Sequence, residues 1–208
     1  MRQKTFLITL LAALLLCMAA CAPAKSDSAP SGGPADVTDG GSGPEGAAPT
    51  AGGPAAQVGE FRVETLDGQQ VDQTVFANAK LTMVNLWATW CGPCIRELPD
   101  LGELAEEAAA MDVQIIGIVH DAYDSRSGQV DEAQLEAARA VVERANVGFP
   151  VLIPDETLLG GWLKNVQGFP TTWFVDAQGN IVGDPVLGAN SKDAWRATLQ
   201  QKLAEVGG

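Results

Sequence analysis

Residues 84–99 have the sequence VNLWATWCGPCIRELP, which contains the strongest structural signal in the chain. Its first part completes a nearly unbroken apolar run over residues 81–87, which predicts a central buried strand. Its second part carries apolar residues at helical spacing and predicts a helix. Cys91 and Cys94 therefore lie at a strand-to-helix junction, three residues apart on one face of the first helical turn.

This junction suits thiol chemistry. The first turn of a helix presents free N–H groups and the positive end of the macrodipole, which stabilise a thiolate. We expect Cys91 to be the more exposed cysteine and the attacking thiolate, and Cys94 to resolve the mixed disulfide that forms. Pro93 suits an early helical position and stiffens the turn.

Two other roles for the cysteine pair are less favourable. A structural disulfide between residues three apart closes a very small loop and adds little stability. A zinc site needs about four ligands, whereas the chain after residue 57 offers two cysteines and one histidine. Because Cys-x-x-C in a βαβ pattern is typical of redox sites, we expect a redox-active disulfide with no metal and no other cofactor.

The rest of the sequence alternates strands with helices and ends in an antiparallel hairpin, which predicts an α/β fold with a mixed sheet. Asp131 and Gln134 mark one helix start, and a hairpin turn is expected at 177–180. Strands are predicted at 61–66, 81–87, 113–119, 149–153, 171–176 and 181–183. Helices are predicted after Cys91 and Asp131, over 158–166, and through Trp195.

Residues 1–20 have the features of a secretory signal peptide: Arg2 and Lys4, an apolar run, and a small pair at Ala19-Ala20. The step Met18-Ala19-Ala20-Cys21 resembles the lipobox of bacterial lipoproteins. That resemblance implies cleavage before Cys21 and acylation of its sulfur, which anchors the protein stably when two or three chains are attached. The alternative is a plain secretory signal with an incidental cysteine.

Residues 21–57 are expected to form a disordered tether. Residues 22–57 contain 8 Gly and 6 Pro with no aromatic residue, so they cannot bury enough apolar surface to offset chain entropy. The formal net charge of −13 disfavours binding to nucleic acid and to anionic lipid headgroups. Membrane attachment is therefore expected to depend on the lipid.

Residues 84–99 resemble the TlpA/ResA-like family of membrane-tethered envelope thioredoxins, in which Trp-Cys-Gly-Pro-Cys is the active-site motif. The resemblance extends over residues 58–208. It implies a thioredoxin fold, with a central mixed sheet flanked by helices, an N-terminal strand extension, and an inserted helix and strand at about 131–153.

The resemblance also implies a substrate loop. Gly168-Phe169-Pro170-Thr171 corresponds to the loop that faces the cysteines, where the family has a cis-proline. Without the resemblance, an ordinary trans Pro170 would be favoured, because about 5–6% of X–Pro bonds are cis. Phe169, Pro170 and Thr171 are therefore the predicted substrate-binding residues.

Glu97 is the predicted acid–base residue, since the ResA-like branch has a partly buried glutamate here that could take the proton of Cys94. The alternative is a solvated helix carboxylate. Thioredoxin has a buried aspartate six residues before its first cysteine, whereas this chain has Asn85, which cannot titrate. Supporting positions are Trp90, which should shield the cysteines, Gly92, Pro93, and Pro99, which should kink the helix. Trp87 is interpreted as core packing or as the floor of the site, and His120 as structural.

The Gly-Pro dipeptide favours a reducing poise, so the expected activity is reduction of protein disulfides outside the cytoplasmic membrane. The resemblance implies a membrane electron donor of the CcdA/DsbD type, and clients such as apocytochrome c or a secreted methionine sulfoxide reductase. We expect the chain to act as a monomer. The alternatives are an envelope disulfide oxidase or isomerase, a copper-delivery protein of the Sco type, and a thiol peroxidase.

Overall fold

The computed structural model describes residues 56–207. The predicted signal peptide, Cys21 and nearly all of the predicted tether lie outside these residues. The strands are β1 Arg62–Thr65, β2 Gln70–Asp72, β3 Leu81–Trp87, β4 Val113–Val119, β5 Tyr123–Asp124, β6 Gln129–Val130, β7 Val151–Ile153, β8 Thr171–Asp176 and β9 Val186–Leu187. The helices are α1 Gly92–Ala109, α2 Glu132–Arg144, α3 Glu156–Gly160 and α4 Lys192–Val206, with 3-10 turns at Gln73–Asn78 and His120–Ala122.

A seven-stranded sheet in the order β2-β1-β7-β4-β3-β8-β9 forms the centre of the domain. β3 is parallel to β4, which is parallel to β7, while β8 is antiparallel to β3. All seven residues of β3 are buried, as its apolar run predicts. The predicted α/β fold with a mixed sheet is confirmed, and the hairpin β1–β2, which joins the sheet through β7, is the expected N-terminal extension.

Helix α1 begins directly at the cysteine pair. Cys91 is its N-cap, Pro93 lies in the first turn, and the helix continues through Pro99. Its buried face packs against the sheet together with Trp195 of α4. Because β3 ends at Trp87 and α1 starts at Gly92, a four-residue loop places both cysteines at one end of the sheet.

The predicted insertion is present as α2 and β7. The Asp131 side chain caps α2 by accepting hydrogen bonds from the N–H groups of Ala133 and Gln134, at 3.0 and 3.1 Å. β7 begins at Val151, two residues later than predicted, after Pro150, which has no N–H for a ladder. Gly117 of β4 lets β7 approach closely, because a Cβ there would lie 3.1 Å from Cγ2 of Val151.

Two predicted elements are wrong. The helix predicted at 158–166 spans five residues, Glu156–Gly160, and gives way to turns at Gly161, because paired glycines favour helix ends. The strand predicted at 181–183 is a single bridge between Val175 and Ile181. Gly183 has a φ of +69°, and the edge strand forms instead at Val186–Leu187, beyond Pro185.

The described chain enters the domain at the end of the sheet away from the cysteines. The Gln57 and Asn180 main chains form a bridge, and the Ile181 N–H donates to the Ala56 carbonyl at 2.7 Å. These contacts lie beyond Asp176, which is opposite Leu81 at the start of β3. Within residues 56–207, no helix has both the length and the apolar character needed to cross a membrane.

Candidate active site

Cys91 and Cys94 form a disulfide, with their Cα atoms 5.3 Å apart. Cys91 is 4% exposed and Cys94 is fully buried, so an approaching partner meets Cys91 first. The Cys94 N–H points to the Cys91 sulfur at 3.3 Å. The sulfur thus lies at the positive end of α1, where a thiolate would be stabilised when the disulfide is reduced.

Exposed apolar side chains flank the disulfide. Among residues 56–207, three large apolar side chains are exposed: Trp90 at 68%, Leu187 at 61% and Val130 at 41%. The Trp90 ring packs edge-on against Phe169, with centroids 5.5 Å apart, and His120 packs against Phe169 at 5.0 Å. We call Trp90, Phe169 and Leu187 the front wall.

The loop that carries Phe169 includes a cis peptide bond between Phe169 and Pro170. The Thr171 hydroxyl donates to the carbonyl of Gly168 at 2.7 Å, which closes the loop on itself. The Gly188 N–H donates to the carbonyl of Pro170 at 2.9 Å, and a Cβ placed on Gly168 would lie 3.3 Å from the Leu187 side chain. Hydrogen bonding and packing therefore hold β9 and Leu187 beside this loop.

One helical turn after Cys94, the buried Glu97 joins the buried side chains of Asn85 and Trp195 and the main chain of Asn190 in a polar group that we call the back cluster. One carboxylate oxygen of Glu97 accepts from Nδ2 of Asn85 at 3.0 Å. The other accepts from the Asn190 N–H at 3.0 Å and from Nε1 of Trp195 at 3.3 Å. Burial raises the pKa of Glu97 above its ordinary value, and the three hydrogen bonds oppose that rise.

Asn85 is fully buried in the middle of β3. Its Nδ2 also donates to Oγ1 of Thr172 at 3.1 Å. Its Oδ1 has no hydrogen-bond partner within residues 56–207. Asn85 therefore supports the carboxylate of Glu97 without being able to take its proton.

The structure brings most of the predicted site residues to one end of the sheet. Gly92 is the first residue of α1, and a Cβ there would lie 3.4 Å from a guanidinium nitrogen of Arg96. Trp87 is fully buried and packs in the core.

His120 is half-buried, and burial lowers the pKa of His120. Within residues 56–207, no three His, Cys, Asp or Glu side chains converge to hold a metal ion.

Sequence reasoning missed three contributors to this site. Asn190 and Trp195 lie more than 90 residues from Glu97 along the chain, and Trp195 was noticed for its apolar ring rather than its N–H. Asp121, whose carboxylate bonds to Thr89, was not singled out. The one signal for Asp121 is its position at the end of β4, where side chains of a parallel sheet meet the active-site end.

The fold, together with a Cys-x-x-Cys disulfide at the N-terminus of α1, defines a thioredoxin-type thiol–disulfide oxidoreductase. Residues 54–183 match the AhpC/TSA family, and the chain belongs to that family. It is 34% identical over 156 residues to the thiol:disulfide interchange protein DsbE of Vibrio cholerae, covering 71% of this chain and 74% of that protein. It is 28% identical over 141 residues to the thiol-disulfide oxidoreductase ResA of Bacillus cereus, covering 68% and 73%.

A solved structure shares the fold at a sequence identity close to that of ResA. The exposed lipoprotein thioredoxin Etrx1 of Streptococcus pneumoniae superimposes with a TM-score of 0.54 at 27% identity, covering 69% of this chain and 99% of that one. The similarity to ResA-like proteins implied by residues 84–99 is thereby confirmed.

Proposed function

We propose that this protein reduces disulfides of oxidised proteins outside the cytoplasm, while attached to the membrane by a lipid on Cys21. The observation that carries the activity is the Cys91–Cys94 disulfide at the start of α1, with the less buried sulfur at the helix N-terminus.

The reaction begins with the reduced protein. The Cys91 thiolate attacks one sulfur of a client disulfide, forming a Cys91–client mixed disulfide and releasing the other client sulfur as a thiolate, which takes a proton from water. Cys94 then loses its proton and attacks Cys91, releasing the second client sulfur as a thiol. Two electrons pass to the client, and the protein is left with the Cys91–Cys94 disulfide.

Glu97 is the proposed acceptor of the Cys94 proton. It lies three residues after Cys94 on the same face of α1. Its raised pKa brings the carboxylate closer to the basicity that a general base needs near neutral pH. Asn85 and Trp195 support this role because their N–H groups hold the carboxylate in place.

The front wall is the proposed client-binding surface, together with Pro170 and Thr171. Trp90 and Leu187 expose most of their apolar area on either side of the cis-proline loop. Exposed apolar patches of this kind are typical of interaction sites. A partly unfolded client with an exposed disulfide would cover this wall while its sulfur reaches Cys91.

The lipid anchor is supported by the lipobox-like step before Cys21 and by the similarity to the lipoprotein thioredoxin Etrx1. Replacing Cys21 with Ser should release the protein from the membrane fraction into the medium or the periplasm. Cys17→Ser is the matched control, because it also removes a cysteine from the signal region and should leave the protein membrane-bound. Equal retention of both variants would contradict lipidation at Cys21.

A membrane thiol carrier of the CcdA/DsbD type is the proposed electron donor, and apocytochrome c or a secreted methionine sulfoxide reductase is the proposed client. A Cys94→Ser variant expressed in the native cell should retain clients as mixed disulfides on Cys91. Mass spectrometry of the trapped partners then identifies the client class, and trapping of neither proposed client would contradict that assignment.

The direction of electron flow is tested by the midpoint potential of the protein without its signal peptide, equilibrated in thiol buffers and followed by thiol trapping. Cys91→Ser is the control for nonspecific alkylation. A potential near that of thioredoxin, about −270 mV, supports a reductase. A potential near that of DsbA, about −120 mV, contradicts it and supports an oxidase or isomerase.

A further inference from the structure

Asp121 holds the loop that precedes Cys91. The Thr89 N–H donates to both carboxylate oxygens of Asp121, at 3.0 and 3.1 Å, and the Thr89 hydroxyl donates to one of them at 2.5 Å. The side-chain amide of Gln134 lies 2.6 Å from the same hydroxyl. The carboxylate thus accepts from both the main-chain N–H and the hydroxyl of Thr89, and hydrogen bonds to a charged acceptor are stronger than those between neutral groups.

This loop is continuous with the nucleophile. The Cys91 N–H donates to the Ala88 carbonyl at 3.0 Å, so Thr89 lies inside the turn that Cys91 closes. Thr89 and Cys91 are two residues apart, so their Cα atoms are separated by at most about 7.6 Å. Because the Asp121 carboxylate bonds to the Thr89 N–H at 3.0 Å, it lies within roughly 12 Å of the Cys91 Cα atom. Asp121 and Thr89 are both partly buried, and a charge acts more strongly in such surroundings than it does in bulk water.

The inserted segment is fastened to the same turn. The Asp131 N–H donates to the Ala122 carbonyl at 2.9 Å, immediately after Asp121. Asp131 caps α2, and Gln134 in the first turn of α2 reaches Thr89. The inserted segment thus supports the active-site loop through Gln134, which contacts Thr89, and through Asp131, which bonds to the residue after Asp121.

We propose that Asp121 is a positioning residue for Cys91, whose carboxylate fixes the Thr89 loop and whose negative charge opposes ionisation of the Cys91 thiol. The α1 N-terminus favours the thiolate, and Asp121 limits that effect. A less stable thiolate makes the dithiol a stronger reductant, because it raises the free energy of the reduced form. In this respect the inference rests on the reductase function proposed above.

Other charged or titratable groups near the pair keep their identity in every variant, although His120 responds to the substitution, because burial lowers the pKa of His120 and the charge of Asp121 raises it. On α1, Arg96 lies beside Gly92 and Glu97 is buried behind Cys94. On the turn after β4, His120 precedes Asp121, and burial lowers the pKa of His120. None of these groups is altered in the variants below.

The test measures the alkylation rate of Cys91 against pH in the reduced full-length protein in detergent. In Asp121→Asn, which keeps the size and one acceptor oxygen, the pH of half-maximal rate should fall by about 0.5–1.5 units, which is what Coulomb's law gives for the loss of one unit charge roughly 8–12 Å away in a medium between water and protein. The equilibrium with a glutathione buffer should move several-fold towards the dithiol. Asp121→Ser provides the same comparison should the asparagine variant fail to fold.

Two controls separate charge near Cys91 from other effects. Asp124→Asn removes a carboxylate on β5 that pairs with Arg126, and Gln134→Leu removes the contact to Thr89 without changing charge. Both should keep the wild-type half-maximal pH. An unchanged profile in Asp121→Asn and Asp121→Ser, or an equal shift in either control, would overturn the proposal.

The outcome is independent of the direction of electron flow. An oxidising potential in the wild-type protein would contradict the reductase proposal, yet the difference between Asp121→Asn and wild type would still measure the effect of Asp121.

Discussion

The front wall and the back cluster both adjoin the cysteine turn, through Trp90 before Cys91 and Glu97 after Cys94, and they have opposite character. The front wall exposes apolar surface: Trp90 and Leu187 are 68% and 61% exposed. The back cluster buries polar groups: Glu97 is 4% exposed and Asn85 is fully buried. Folding alone favours neither arrangement, because apolar surface is stabilised by burial and a carboxylate is stabilised by water.

The two regions therefore differ in what they contribute. In the back cluster, three hydrogen bonds to Glu97 offset part of the free-energy cost of burying its carboxylate. One buried acceptor, Oδ1 of Asn85, still has no partner within residues 56–207. The front wall leaves apolar area available for a partner. The proposed function accordingly assigns client recognition to the front wall and proton transfer to the back cluster.

The sharpest test replaces each cysteine in turn. Cys91→Ser and Cys94→Ser should both reduce turnover of a protein disulfide to background, because each cycle needs two thiols. Only Cys94→Ser should accumulate a mixed disulfide with the client, since Cys94 is fully buried and Cys91 is the more accessible thiol. Nonreducing gels measure the adduct. Equal accumulation in both variants would contradict the assignment of Cys91 as the attacking thiol and Cys94 as the resolving thiol.

Glu97→Gln tests the proton-transfer side. Resolution of the mixed disulfide should slow about 100-fold at neutral pH, within the usual range for loss of a general base. The amide can be accommodated, because rotation of Asn85 offers its free Oδ1 to the new N–H donor. Stopped-flow kinetics of Cys91–client breakdown measure the step, and a wild-type rate would exclude Glu97 as the base.

The same residue predicts how stability depends on pH. Burial raises the pKa of Glu97, so the folded protein binds more protons than the unfolded chain just above the ordinary carboxyl range. Stability contributed by the protonated group is present below the unfolded pKa and is lost as pH rises through the folded pKa. Urea unfolding across this window should show a decline in wild type that Glu97→Gln lacks.

Trp195→Phe tests the support of the carboxylate. It removes one donor to Glu97 and some buried volume, which should cost about 1–3 kcal/mol of stability. Loss of a bond to the charged form should raise the pKa of Glu97 further, so the pH–rate profile should move to higher pH. Trp162→Phe is the control, because Nε1 of Trp162 has no partner within residues 56–207.

The smallest expected effect is at the front wall. Trp90→Ala should raise KM for a protein disulfide a few-fold, in line with the roughly 0.5–1.5 kcal/mol of an aromatic contact. Stability should change by about 0.5 kcal/mol or less, because Trp90 is mostly exposed. Val130→Ala, which truncates an exposed side chain on β6, should leave KM unchanged. An equal effect of both variants would remove the recognition role.

Local pattern was enough to predict the cysteine junction and its flanking elements. β3 and β4 have the predicted bounds because an apolar run is an adequate signal for a buried strand. The start of α2 was predicted because its capping residue, Asp131, is adjacent in sequence. The cis bond before Pro170 followed from resemblance rather than from physics, since trans is the usual form.

Features that depend on distant partners could not be predicted. The hydrogen bonds that hold Glu97 come from Asn190 and Trp195, which reach it only through the packing of α4 on α1. The end of α3 was missed because Leu163 and Val166 continue an apolar pattern that packs as turns against the core. The link from Asp121 to Thr89 needs the parallel pairing of β3 and β4.

The entry point of the chain sets how the domain can be oriented. Ala56 and Gln57 pair with residues beyond β8, at the opposite end of the sheet from Cys91. A seven-residue strand such as β3 spans about 20 Å. The chain before Ala56 therefore joins the domain at the end of the sheet away from Cys91, and the end that carries the disulfide is left free to approach a protein partner.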